Sequence, residues 1–163
     1  MDTKRISKIA MLISLSAVLS IIESFIPLFN TIPGIKLGLA NIVIIYAIYK
    51  LNFKDALYIS ILRVILVGIL RTGLFSINFF FSLVGALFSI LGMYIIKHTK
   101  MSIIGVSIVG AICHSIGQIL VAIIFLSSID ILYYLPILLV SSIITGILVG
   151  ILSSKLIDYY DID

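Results

Sequence analysis

The stretch Ile103-Ile-Gly-Val-Ser-Ile-Val-Gly-Ala-Ile-Cys-His-Ser-Ile-Gly-Gln-Ile-Leu-Val-Ala-Ile-Ile-Phe-Leu126 runs for 24 residues without a charged side chain. As a helix rising about 1.5 Å per residue it would extend about 36 Å, enough to cross a hydrocarbon core of about 30 Å. Long apolar runs recur at 9–29, 37–51, 54–71, 76–96 and 131–157. In hydrocarbon every peptide N–H and C=O must be satisfied internally, so a span is either a helix or a strand of a closed barrel. Barrel strands alternate apolar and polar residues over about ten positions. The runs here are unbroken, so they read as helices. The expected fold is an all-α integral membrane protein, a bundle of six transmembrane helices forming one domain over residues 1–163.

Composition points the same way. Hydrophobic residues make up 62% of the 163 and charged residues 11%, with a mean hydropathy of +1.34; soluble domains carry about 25% charged residues. The formal net charge of +4 does not imply nucleic acid, because the charges sit at the ends of apolar runs and form no basic stripe. With six spans both termini share a side. That side holds Lys4, Arg5, Lys8, Lys50, Lys54, Lys97, Lys100 and Lys155, against Lys36 and Arg71 on the other. The positive-inside bias places both termini in the cytoplasm, and the expected location is a bacterial inner membrane. The first run follows Lys4, Arg5 and Lys8 but is long and lacks a cleavage site, so it reads as a retained helix and not a signal peptide. The single cysteine, Cys113, excludes an internal disulfide or CxxC site.

At about 100° per residue, polar side chains gather on particular faces. On the first helix Ala10, Ser14, Ala17 and Ser24 form a small-residue stripe, while Ser16, Ser20, Glu23 and Pro27 form a polar one. The short second run spans about 22 Å, so the loop Pro33-Gly34-Ile35-Lys36 is expected to dip into the bundle and line a cavity. On the third helix Arg63 and Arg71 share a sector about 12 Å apart. An arginine inside a span faces protein or a water-filled cavity, and Glu23 is the acidic residue placed to pair with Arg63. The fourth helix carries Asn78, Ser82, Gly85, Ser89 and Gly92 on one stripe, suited to close packing, with Asn78 also able to reach a ligand. On the fifth, Ser107, Gly110, His114, Gly117 and Gln118 oppose Ile108, Ile112, Ile116, Ile119 and Ile123, which would face lipid. His114 and Gln118 read either as an interhelical hydrogen-bonding pair or as ligand-binding groups. On the sixth, Ser142, Gly146, Gly150 and Ser153 suit packing. Candidate substrate-binding residues are therefore Lys36, Asn41, Arg63, Arg71, Asn78, His114, Gln118 and Glu23.

Enzyme chemistry finds little support. No aspartate-rich cluster could hold the Mg²⁺ ions that bind a diphosphate, and Asp158, Asp161 and Asp163 form a tail. No GxxxxGK[ST] loop is present. His98 and His114 are too few for a zinc site. Nothing in the sequence calls for a cofactor.

The segment Pro33-Gly-Ile-Lys-Leu-Gly-Leu-Ala-Asn41, together with Arg63-Val-Ile-Leu-Val-Gly68, Gly110-Ala-Ile-Cys-His114 and Gly117-Gln118, resembles the "Gx transporter" family, often labelled heptaprenyl diphosphate synthase component I. Those proteins are similar to the substrate-binding S components of energy-coupling factor (ECF) transporters. The resemblance implies an S-component-like six-helix bundle with a pocket opening outward and a small-molecule substrate. It also implies partners: a transmembrane coupling protein and two cytoplasmic ATPases. Docking in S components uses a small-xxx-small surface on the first helix, matched here by Ala10 and Ser14, with Ala17 continuing the stripe and serine standing where a second alanine is commoner. Relatives are also associated with quinone or isoprenoid metabolism and extracellular electron transfer. An alternative is therefore a non-catalytic accessory subunit of such a pathway, docked through Lys50, Lys54, Lys97 and Lys100.

Overall fold

The computed structural model describes residues 3–26 and 35–159. Among them are six α-helices: α1 (Thr3–Glu23), α2 (Leu39–Lys50), α3 (Phe53–Val67), α4 (Ile77–Lys97), α5 (Ile103–Leu126) and α6 (Leu135–Tyr159). Ser76 and Ser102 cap α4 and α5, each accepting a backbone N–H three residues on, from Phe79 and Gly105.

Several boundaries differ from the sequence expectation. Helix α1 begins at Thr3, not near residue 9, because the polar segment before the apolar run also coils and packs. There Arg5 makes a two-pronged ion pair with the buried Asp55 of α3, at 2.8 to 3.2 Å. Helix α1 ends at Glu23 and tightens into i→i+3 bonds through Ile26; residues 27–29, with Pro27, lie outside the described residues. Helix α3 gives way at Gly68 to a π turn, Gly68–Thr72, which carries Arg71. The last run is divided into a 3₁₀ turn, Ile129–Tyr134, followed by α6. The break falls at Pro136, which has no N–H and fits the first turn of a helix.

Helix α2 is the hub, packed against α1, α3 and α6 and touching α4 and α5. Its residues Val43 through Ile48 are all buried. A 12-residue helix is about 18 Å long, and both its ends lie within the bundle. Unsatisfied terminal groups would be costly there, and charged side chains meet them. At the start, Glu23 accepts the N–H groups of Gly38 and Leu39 at 2.8 and 3.0 Å. At the end, the Lys97 ammonium donates to the Ile48 carbonyl. Each charge has the sign that the helix dipole favours. Gly38 itself has φ +82°, a left-handed conformation that glycine adopts without strain.

The apolar core joins Ile9, Leu12 and Ile13 of α1 to Val43–Ile48 of α2, Ala56 and Ile59 of α3, Ile90 and Met93 of α4, Val106 of α5, and Val149 and Ile157 of α6. Because Ile9 and Ile157 share this cluster, the first and last helices have their outer ends on one side. Helices α5 and α6 approach closely at glycines: a Cβ on Gly146 or Gly150 would stand 2.8 or 2.7 Å from the Cα of Ile108 or Ile104.

Large apolar side chains line the outside. On α6, Val140, Ile144, Leu148 and Leu152 repeat every four residues and are 48–61% exposed. Four elements are long and apolar enough to cross a membrane: α1, α4, α5 and the combined segment Ile129–Tyr159. Together they make the chain a multi-pass, membrane-type all-helical protein. The expected lipid-facing row on α5 needs correction. Ile119 is buried and Ile108 packs on Gly146, because α5 is enclosed between α4 and α6 and has two covered sides. Of that row Ile116 is exposed as expected, and the other large apolar residues exposed on α5 are Leu120, Ile124, Phe125 and Leu126.

Candidate functional site

Away from the apolar core, at the end opposite the outer tip of α1, the helices diverge around a cavity of about 490 Å³. This is within the usual range for small-molecule sites. It is bounded by the last turns of α1, the start of α2, the second half of α3 and its π turn, the start of α4, and the middles of α5 and α6. Seven of the eight candidate substrate-binding residues line it: Glu23, Lys36, Asn41, Arg63, Arg71, Asn78 and His114. Ile35 and Lys36 line it too, whereas Pro33 and Gly34 lie outside the described residues.

One wall is cationic. Arg63 is buried at 6% exposure, and its Nη1 donates to Asn41 Oδ1 at 3.4 Å. Lys36 Nζ donates to Ser82 Oγ at 3.2 Å. The expected Arg63–Glu23 ion pair is not formed. Glu23 is turned to the α2 N-terminus, where two backbone N–H groups hold its carboxylate oxygens. Among the described residues neither Lys36 nor Arg63 has a carboxylate within ion-pair distance, although Glu23 lines the same cavity and attracts both at longer range. Arg71 is differently employed. It donates to the Ile21 and Ser24 carbonyls at 3.4 and 3.2 Å and lies over the Phe25 ring at 4.8 Å, so it holds the end of α1 at the cavity rim. A cation at a helix C-terminus meets unpaired carbonyls and the negative end of the dipole. The π turn widens the helix here, the kind of local feature often found at functional sites.

The facing wall comes from α5 and α6. His114 packs flat against Gly85, where a Cβ would stand 2.8 Å from its ring, so the glycine makes room for the imidazole. Gln118 does not line the cavity; it is buried, with an unpartnered Oε1. One turn beyond His114 the chain has left the cavity and entered the tight contact of Gly117 with Gly85, so the two members of the i, i+4 pair serve different surroundings. Asn78 lies at the exposed mouth.

Several lining residues were not singled out from the sequence. Ser115, Ser141 and Thr145 join Ser142 on this wall, and Ser115 and Ser142 are hydrogen-bonded at 2.6 Å. The signal was present as Ser141-Ser142 followed by Thr145 in an otherwise apolar run. Asp55 also escaped notice because it sits next to Lys54 at a span's edge.

On α1, Ala10 and Ser14 are exposed, but Ala17 is 4% exposed and belongs to the interior. The stripe drifts around the helix by about 20° every seven residues, and its far end turns under the bundle. Among the described residues, no three His, Cys, Asp or Glu side chains gather where a metal ion could bind.

Residues 12–156 match the family described as heptaprenyl diphosphate synthase component I. Comparison with curated proteins and with solved structures finds no match. The match covers most of the chain, which belongs to that family.

Proposed function

We propose that this member of the heptaprenyl diphosphate synthase component I family is the substrate-binding membrane subunit of an ECF-type uptake transporter. Its six helices cross a bacterial inner membrane six times with both termini in the cytoplasm, and its cavity opens outward to take a small anionic molecule. One observation carries this reading: Lys36, Arg63 and Arg71 line a cavity of about 490 Å³ in which, among the described residues, Glu23 is the single carboxylate, so the site carries net positive charge. Uncompensated cations in a low-dielectric site favour a negative ligand. Arg63 would hold a carboxylate or phosphate through parallel hydrogen bonds, and Lys36 would add a second charge. Asn41 and His114 would orient the ligand.

The exposed Ala10 and Ser14 offer a small-residue surface on which a coupling protein's helix could lie. ATPases bound to that protein would supply the energy that this chain, without a nucleotide motif, does not.

The family description supports a second reading, an accessory subunit of a prenyl diphosphate synthase. The lysines that would dock the synthase are in part engaged elsewhere. Lys97 donates to the Ile48 carbonyl and lies over the Tyr49 ring at 5.1 Å.

Co-expression of the tagged chain with a coupling module and, separately, with the soluble synthase subunit, followed by purification in mild detergent, discriminates the two. Recovery of the coupling protein and ATPases is expected, and is expected to be lost in Ala10→Leu. Recovery of the synthase alone would overturn the transporter reading.

A further inference from the structure

The hydroxyl groups on the α5–α6 wall can be assigned by counting protons, since each serine or threonine hydroxyl has one to donate. Ser142 Oγ lies 2.6 Å from the Leu138 carbonyl, which can only accept, so the Ser142 proton is committed there. In the 2.6 Å contact between Ser142 and Ser115, Ser115 must then be the donor. Ser141 donates to the Leu138 carbonyl at 2.9 Å, and Thr145 to the Ser142 carbonyl at 3.3 Å. All four protons are held by the protein. What these oxygens retain for anything in the cavity they line is lone pairs.

The opposite wall has the reverse character. Lys36 and Arg63 carry donors and no acceptor. The Asn41 carbonyl oxygen already accepts from Arg63, which leaves its amide N–H groups. The cavity is thus uneven, with the Lys36 and Arg63 cations on the α2–α3 side beside the Glu23 carboxylate, and on the α5–α6 side four hydroxyl oxygens whose protons are committed, beside the His114 ring and the Ser107 hydroxyl.

We infer that the cavity selects a compact hydrophilic molecule with an acidic group at one end and O–H or N–H donors at the other, and that it rejects a long isoprenoid chain. The inference deepens the proposed function and rests on it. An anion without donors would satisfy the cationic wall but leave the acceptor wall facing apolar matter. An isoprenyl tail would strip water from that wall and offer nothing in return, and buried polar groups left unpaired weaken binding.

The test uses the purified full chain in detergent with three four-carbon dicarboxylates of one skeleton: succinate, malate with an added hydroxyl, and aspartate with an added amine. Farnesyl diphosphate serves as the anion with an apolar tail. Binding is read by isothermal titration calorimetry and by the shift in unfolding temperature. Malate or aspartate is expected to bind about fivefold or more tightly than succinate, one added hydrogen bond being of that order. Farnesyl diphosphate is expected to bind more weakly than either. The advantage over succinate should shrink in Ser115→Ala, which removes one acceptor. If succinate or farnesyl diphosphate binds as well as malate and aspartate, and Arg63→Ala abolishes that binding, the donor requirement is overturned while the anion site stands. If no compound binds, or if Arg63→Ala changes nothing, both readings fail.

Discussion

The half of the bundle that holds the outer ends of α1 and α6 and the half that holds the cavity are built from the same helices, yet they treat polar groups in opposite ways. In the first half, interior space is filled by Ile44, Ile45, Ile48, Ile59, Ile90 and Met93, all 1% exposed or less. Its buried carboxylate is matched, Asp55 with Arg5, and Lys97 meets the end of α2. In the second half, Lys36 and Arg63 share one more distant carboxylate, Glu23, with no close ion pair among the described residues, and Ser115, Ser142 and Thr145 have their protons tied to the protein. Apolar side chains gain little from leaving lipid for a lipid-like interior, so close packing and satisfied polar groups must stabilise such a bundle. A half that leaves cations uncompensated is less stable than it could be, and proteins accept that where a ligand completes the site.

Substitutions can break this contrast. The largest effect is expected in the cavity half on binding: Arg63→Ala should lower affinity for the bound anion by on the order of 100-fold or more, as loss of a buried charged partner does. Circular dichroism should show unchanged helix content. Next, in the packed half, Gly150→Ala places a Cβ 2.7 Å from the Ile104 backbone. Helices cannot give way as a flexible side chain can, so a loss of about 1–3 kcal/mol is expected in unfolding by denaturant or heat, with little change in ligand affinity among molecules still folded. The two ends of α2 then compare the halves directly. Glu23→Ala removes the acceptor for two backbone N–H groups and should cost about 1–2 kcal/mol, with Glu23→Gln restoring part of it. Lys97→Met at the other end should cost about 0.5–1 kcal/mol. Asn78→Ala, at the exposed mouth, should have the smallest effect, a change in affinity of no more than about threefold. A stability gain in Glu23→Ala would show that its carboxylate is a strained cavity group and not the cap of α2.

Much of this was readable in the sequence. Hydrophobic runs and charge placement gave the helical membrane character, and seven of the eight candidate binding residues, most placed by periodicity and Lys36 by the loop before the short second run, line the cavity. Periodicity says which side chains share a face but not what that face meets. Gln118 shares a face with His114, yet the close contact of Gly117 with Gly85 ends the cavity between them. Glu23 was assigned to Arg63 by charge alone, whereas backbone N–H groups at the start of a short helix hold it more closely. The lipid-facing row on α5 was misplaced because one helix can be covered on two sides. The π turn at Gly68 has no period of its own in the sequence, and it sets where Arg71 points. Donor and acceptor roles on the serine wall depend on which carbonyl each hydroxyl reaches, and residue spacing alone does not supply that.

The central claim is that the cavity holds a small anion through Arg63. The most direct measurement is mass spectrometry of small molecules released by denaturing the natively purified chain, run in parallel on Arg63→Ala. An acidic, hydrophilic compound is expected at near-stoichiometric amount from the unmodified chain and is expected to be absent from the variant. The same compound in equal amount from both, or a polyprenyl lipid as the retained molecule, would contradict the claim.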